Sequence, residues 1–319
     1  MATKDVNKLG LVEIANRTQN GQLIDLVNEL VQDIPPLADA PWLQANDNTS
    51  HKTTKYANVP SASVRGMYEG VTPTALQTIP TIEHLCYVED QVEIDELELR
   101  HVPNKAEFRF QEDLAHMEGT KQKAGSELFY GNIATNPRDI NGITTRYNAL
   151  SLSNVVGCGG TGDDLSSLLF IMWGRKGVHF VYPIGGVETS IVREDMGRIR
   201  VTDSNGKPYF AYVTKFSFEF GLVVRDDRAV QRICNIETGG AENTIDVDLM
   251  IKAKNNLPST RGAVIYCNKE TLSMLEIQAK DKPNVLHTAN DPFGNPELRF
   301  YDMPIRKCDA LLATESAVT

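Results

Sequence analysis

The chain has 319 residues, 41% hydrophobic and 23% charged, a composition ordinary for a globular protein and ample for a buried core. Its formal net charge of -10 argues against a reader of nucleic acid, because neutralising phosphates needs clustered Lys and Arg. The most apolar stretch, Leu165 to Trp173, is shorter than the roughly 20 residues a bilayer requires, and Met1 to Leu11 carries no apolar export block, so the expectation is a protein made and kept in a cytoplasm.

In chain order, Leu23, Val27, Leu30 and Ile34 fall on one helical face, which predicts a helix over Leu23–Asp33 stopped by Pro35-Pro36. From Gln44 to Ser63 the residues are mainly Thr, Ser, Asn, Lys and small groups. Thr53, Thr54 and Tyr56 favour extended strands, and Asn58-Val59-Pro60 offers a turn. The reading is a long polar hairpin that needs a neighbour to lie on; the alternative is a loop without structure. Six acids lie between Glu89 and Glu98, read as a solvated face, with contact to a basic strip on a partner as the alternative.

Asn104 to Tyr130 reads as one long helix carrying Leu114, Met117, Lys121, Ala124 and Leu128 at three-four spacing, ended by Gly131-Asn132. The middle of the chain is strand-rich. Leu168–Trp173 and Val178–Pro183 flank Gly174-Arg175-Lys176-Gly177, a hairpin signature. Arg198–Thr202 and Pro208–Arg225 flank Asn205-Gly206, a stronger one. Phe216, Phe218, Phe220, Leu222 and Val224 alternate, so one face of that strand is expected to be buried. Towards the end, Ile245, Leu249, Ala253 and Leu257 mark a helix, Ala263–Cys267 a strand, and Asn268 caps a further helix through Ala279. Met303–Thr314 reads as a closing strand region.

Motifs for chemistry are near misses. Gly157-Cys158-Gly159-Gly160-Thr161-Gly162 has phosphate-loop glycines, but Asp163-Asp164 replaces the Lys-Ser/Thr and would repel phosphate. Asp203-Ser204-Asn205-Gly206 resembles the start of a calcium loop without its terminal Glu, and reads as a turn. The six histidines form no H-E-x-x-H and no serine lies in G-x-S-x-G. Asp226-Asp227 and Asp246/Asp248 read as caps or solvated carboxylates. Cys86, Cys158, Cys234, Cys267 and Cys308 are odd in number and widely spaced, which suits buried thiols, with a disulfide or zinc site as the alternative. No catalytic, cofactor-binding or metal-binding residue is assigned.

The order of features resembles the Hong Kong 97-type capsid fold: an arm, a long polar hairpin, a long helix, a sheet, then a small α/β unit. Individual stretches resemble the gp-seven-type major capsid proteins of tailed phages. They include Trp42-Leu43-Gln44-Ala45-Asn46 leading to His51-Lys52-Thr53-Thr54, and Leu128-Phe129-Tyr130-Gly131-Asn132. Asn141-Gly142-Ile143-Thr144-Thr145-Arg146-Tyr147-Asn148 and Trp173-Gly174 with Val178-His179-Phe180-Val181-Tyr182-Pro183 follow. Gly221 to Asp226, Arg232 to Ile236, Ile265 to Asn268 and Met303 to Leu312 complete the set. The resemblance covers residues 20–316. One departure is Asp227, where the family pattern implies a tryptophan, which puts local packing there in question.

The resemblance implies an α+β fold with an N-terminal arm (1–48), an extended loop (49–80), a peripheral domain with spine helix 104–130 and sheet (81–238) and an axial domain (239–319). It implies a non-enzymatic subunit without cofactors that assembles with itself, in hexamers and pentamers, into an icosahedral shell around double-stranded phage DNA, held without sequence-specific binding. Portal protein and scaffolding and decoration proteins would be further partners; no membrane is involved. The site would be the virion capsid, assembled in the bacterial host cytoplasm. Trp42, His51, Lys52, Thr54, Lys55, Tyr56, Arg65 and Tyr68 are the candidates for contact between subunits. Three other readings are weighed: an encapsulin-like nanocompartment shell, a soluble hydrolase, and a tail or decoration protein.

Overall fold

The computed structural model describes residues 31–186, 191–239, 242–280, 285–290 and 296–319, with the short strands at 18–19 and 22–23. The first elements are β1 (Thr18–Gln19), β2 (Gln22–Leu23), α1 (Pro36–Asp39), β3 (Trp42–Gln44), β4 (Ser50–Tyr56), β5 (Thr78–His84), β6 (Cys86–Asp95), α2 (Glu96–His101) and α3 (Lys105–Tyr130). After them come α4 (Ile143–Arg146), β7 (Val155–Gly157), β8 (Leu165–Met172), β9 (Val178–Tyr182), β10 (Val192–Thr202), β11 (Pro208–Val224) and β12 (Val230–Glu237). The last are α5 (Val247–Asn256), β13 (Ala263–Cys267), α6 (Lys269–Ala279), β14 (Leu286–Asn290), β15 (Pro296–Phe300) and β16 (Met303–Lys307). They form two compact units, each drawn from separate stretches of chain: Met1–Asp33, Tyr87–Ser126 and Thr189–Glu219 in the first, Ile34–Cys86, Glu127–Glu188 and Phe220–Thr319 in the second.

In the first unit, β10 and β11 form the hairpin expected at Asn205-Gly206, registered from Thr202 opposite Pro208 to Val192 opposite Ser217. Gly206 has φ 76°, a conformation that costs a residue with a Cβ and costs glycine nothing. A bulge lies between Asp195 and Gly197. β6 pairs with β11, and α3 lies over a core of Val92, Ile94, Leu99, Val102, Phe108 and Phe216. Arg193 reaches the nearly buried carboxylate of Asp113 at 2.6 Å and Arg109 reaches Asp195 at 2.7 Å, both tying α3 to β10.

The acidic run was expected to face solvent, and most of it is instead paired within its own unit. Glu89 meets Lys215 at 2.7 Å, Asp90 meets His116 at 2.6 Å, and Glu93 accepts from the Tyr209 hydroxyl at 3.2 Å. Glu96 takes Arg198 and Arg100 at 2.7 and 3.0 Å, while Asp95 caps α2 through the Leu97 N–H. The cause is topological: the basic and phenolic groups stand on β10, β11 and α3, elements that sequence distance conceals.

In the second unit, seven strands run in the order β14-β15-β16-β13-β8-β12-β7. The central strand β8 is antiparallel to β13 on one side and β12 on the other, and seven of its eight residues are buried. That explains its apolar run Leu168–Met172, as expected of a strand covered on both faces. α5 and α6 contribute to a core with Phe170, Ile265, Met250, Leu275 and Phe300 among its members. Asn268 caps α6 by accepting from the Thr271 N–H at 2.8 Å, as expected from its position.

Three expectations require correction. β8 and β9 do not pair as a hairpin; they belong to different sheets and share only the bridge of Trp173 with Val178. Both edges of β8 are already occupied, so β9 takes β3 on one side and the Gly221–Val224 end of β11 on the other. The polar hairpin does not return after Asn58-Val59-Pro60, since its second strand begins only at Thr78. Finally, Gln22–Leu23 is strand and residues 31–33 are not helical, so the helix expected over Leu23–Asp33 lacks both ends; residues 24–30 lie outside the described residues.

Candidate assembly surface

β4 and β5 pair over their full length, from Ser50 opposite His84 to Tyr56 opposite Thr78. Because side chains alternate, His51, Thr53 and Lys55 share one face with Glu83, Thr81 and Ile79, while Lys52, Thr54 and Tyr56 share the other with Ile82, Pro80 and Thr78. The first face is held to the body. Glu83 receives a bidentate pair from Arg146 at 2.7 and 2.6 Å, with the carboxylate nearly buried. The Lys55 ammonium lies 3.1 Å from Asp227, and the Tyr147 hydroxyl donates to the same carboxylate at 3.2 Å. The His51 ring stands edge-on to His179, with centres 6.1 Å apart.

The other face and the whole tip are open. Every residue from Tyr56 to Pro80 is exposed. Val59, Val64, Met67 and Tyr68 are 81%, 103%, 91% and 102% exposed. Few bonds order the tip: Gln77 N–H to Asn58, Thr74 hydroxyl to the Ser61 carbonyl, and Gly66 N–H to Glu69.

The contact candidates divide accordingly. Lys52, Thr54, Tyr56, Arg65 and Tyr68 are exposed, whereas His51 and Lys55 face the body. Trp42 is buried: its indole donates to the Leu37 carbonyl and its ring lies 4.8 Å from that of Phe180. Sequence reasoning missed Arg146 and Glu83 as partners and read Asp227 as a cap or solvated carboxylate. The departure at Asp227 leaves a largely exposed carboxylate that Lys55 reaches.

A second polar system fixes the end of the chain. Arg232 is 3% exposed and all three nitrogens of its guanidinium are hydrogen-bonded. It donates to Ser167 Oγ (3.0 Å), to the carbonyls of Thr144 and Tyr147 (2.9 and 2.8 Å) and to Glu315 (3.0 Å). Glu315 also accepts from Tyr130 at 2.6 Å and Ser167 at 2.5 Å. Burial, with the Glu315 charge behind it, holds the Tyr130 phenol well above its ordinary range. Val318 and Asn235 exchange two hydrogen bonds of 2.9 Å. A lone arginine among Val230, Ile233 and Ile236 was the available sign of a buried charge needing a partner.

Among the described residues no catalytic constellation stands out. A cavity of about 340 Å³ in the first unit is lined by Glu93, Asp95, Glu98, Asp203, Lys207, Pro208 and Tyr209. Burial, then the Asp95 charge, pushes Glu98 up to about 7, but no histidine, serine or cysteine lines the cavity to complete a nucleophile and base. Among the described residues no three His, Cys, Asp or Glu side chains gather as a metal site, and no helix is long and apolar enough to cross a membrane. None of the five cysteines forms a disulfide, and four of them are buried.

The class follows from comparison with solved structures. The fold matches that in a structure of bacteriophage Epsilon15 with a TM-score of 0.74 and 29% identity, over 100% of this chain and 99% of that one. Smaller likenesses link it to the SrpI encapsulin complex of Synechococcus elongatus PCC 7942 (TM-score 0.48, 13% identity, 73% of this chain and 99% of that one). Mycobacterium phage Adephagia is similar at TM-score 0.47 and 11% identity, over 71% and 97%. No curated protein matches. The fold is thus that of Hong Kong 97-like phage capsid subunits, as the order of elements implied. Within that class the chain belongs to the family of the major capsid protein GP7, which matches residues 18–319. It is a phage capsid shell protein.

Proposed function

We propose that copies of this chain form hexamers and pentamers of an icosahedral shell, and that the open face and tip of the β4–β5 hairpin lie on a neighbouring copy. The observation that carries this is the run of exposure from Tyr56 to Pro80 with eight large apolar or aromatic side chains in it. Covering side chains such as Val64, Met67 and Tyr68 would contribute roughly 1.5–3 kcal/mol each before the cost of ordering the tip. Repeated around a closed shell, a few kcal/mol per contact suffices. Lys52, Thr54, Tyr56, Arg65 and Tyr68 touch the neighbour in this reading, while Trp42, His51 and Lys55 set the position of the stem.

The parts carry the roles the family implies: arm 1–48, extended loop 49–80, peripheral domain 81–238 and axial domain 239–319. The shell encloses double-stranded DNA without reading its sequence, and the net charge of -10 keeps the wall from adhering to it. Portal, scaffolding and decoration proteins act as partners during assembly in the bacterial host cytoplasm. The subunit performs no catalysis.

Replacing residues 61–73 by a short Gly-Ser linker tests the reading. The variant is expected to remain folded by circular dichroism and to give no closed shells by electron microscopy under conditions where the natural chain gives them. Normal shells from the linker variant would overturn the role of the tip.

A further inference from the structure

The two strands of the hairpin stem are anchored by different chemistry. On the β5 side, Glu83 and Arg146 form a bidentate charge pair with the carboxylate nearly buried. On the β4 side, His51 carries the root contact. Its Nδ1 accepts the Asn46 N–H at 3.3 Å, so a proton there would set one N–H against another. Its ring stands perpendicular to that of His179 on β9. His179 is 1% exposed, and its Nδ1 is buried with no hydrogen-bond partner. Charging His179 would therefore place a cation in a site with no acceptor for its new N–H.

The charged neighbours do not relieve that charge; a hydrogen bond with the Gly174 backbone favours it but is outweighed by burial and the nearby cations. Arg225, beyond the end of β11, faces both rings, and Arg175, in the turn before β9, faces His179. Glu83 faces His51 from β5 but is already committed to Arg146. Further up the stem, Lys55 is paired with Asp227. Burial first, then Arg225, holds His51 below its ordinary pKa; burial, then His51 and Arg225, holds His179 at about 4.

We infer that the His51–His179 contact is an acid-released clasp on the β4 side of the stem, closed while both rings are neutral and opened by a proton on either, with Arg146 and Glu83 retaining the β5 side. The sign follows from the direction of both shifts. Opening returns His51 to water and to ordinary proton affinity, so docking is indifferent to pH above about 6.5 and is increasingly opposed as pH falls below it. The clasp is a property of the single subunit, so its test does not depend on shell formation.

Pulsed hydrogen–deuterium exchange of the soluble full-length subunit at pH 7.5 and 5.0, corrected for intrinsic exchange, reads it. Protection of the Ser50–Tyr56 amides is expected to fall at pH 5.0, by at most about thirtyfold for one ring of ordinary proton affinity when open, while β8 amides stay unchanged. His51→Gln keeps an acceptor for the Asn46 N–H and cannot titrate, so it should flatten the response. Equal protection at both pH values, or the same loss in wild type and His51→Gln, overturns the clasp. Carbon-13 labelling of the histidine rings supplies a check without substitution: both His51 and His179 must titrate below the ordinary histidine range, and either one titrating within or above it also overturns the clasp.

Discussion

Removing the Glu315 carboxylate should be among the most damaging single changes outside the apolar core. In Glu315→Ala the Arg232 guanidinium, 3% exposed, keeps three neutral acceptors but loses the counter-charge at 3.0 Å. The hydroxyls of Tyr130 and Ser167 lose their acceptor at the same time. Breaking a buried pair from one side costs about 3–5 kcal/mol. Orphaned hydroxyls would add to that, but an adjoining cavity of about 310 Å³, lined by Tyr130, Thr144, Arg232 and Glu315 among others, can admit water and offset part of the loss. The expected cost is therefore about 3–4 kcal/mol, near the lower end of the range. Calorimetry of the soluble subunit would show this as a fall in midpoint of roughly 6–16 °C for the second unit. Pairing the change with Arg232→Met removes the stranded cation, so the double variant should recover much of the loss and give a coupling energy above about 1 kcal/mol. A loss below about 1 kcal/mol in Glu315→Ala, or strict additivity in the cycle, would refute the reasoning.

Three further outcomes are expected. Glu98 is pushed up to about 7, so folding favours its protonated form; that contribution is full below about pH 4.5 and is lost as pH rises through 7. Glu98→Gln should therefore raise the thermal midpoint at pH 8 by the equivalent of about 1 kcal/mol, a figure reduced for solvent screening, and leave it unchanged at pH 4.5. Trypsin should cut free subunits after Arg65, in the open tip, and spare that bond in assembled shells, as read by mass spectrometry; equal cutting in both states would count against burial of the tip. Cys158, half-buried and pushed up to about 11 chiefly by burial, should react slowly with a thiol reagent in the native state, and the four buried thiols only on unfolding.

The legible parts of the fold were those with local causes. Asn205-Gly206 specified its hairpin, Asn268 its cap, and the length of α3 followed from spacing and the Gly131-Asn132 stop. What escaped depended on pairing across sequence distance. The Gly174–Gly177 turn looked like a hairpin because a turn signal says nothing about whether the flanking strands already have partners; β8 had two. The acidic run looked solvated because cations such as Arg198 and Lys215 lie more than a hundred positions from their partners. In the assembly surface, the composition of the hairpin showed that it would not bury a core, yet which face docks is decided by Arg146 and Asp227, whose partners no local pattern names.

The two tryptophans of the chain, Trp42 and Trp173, both pack against Phe180, with ring centres 4.8 and 5.6 Å apart. Phe180 follows His179 on β9, so indole emission reports on the immediate neighbourhood of the stem root. The first unit contains no tryptophan among Tyr87–Ser126 and Thr189–Glu219, and its opening there is directly invisible to that signal. A melting curve followed by emission and one followed by circular dichroism therefore weigh different parts of the subunit. Their coincidence would show that the two units unfold together, and a gap between them would give the order in which they come apart.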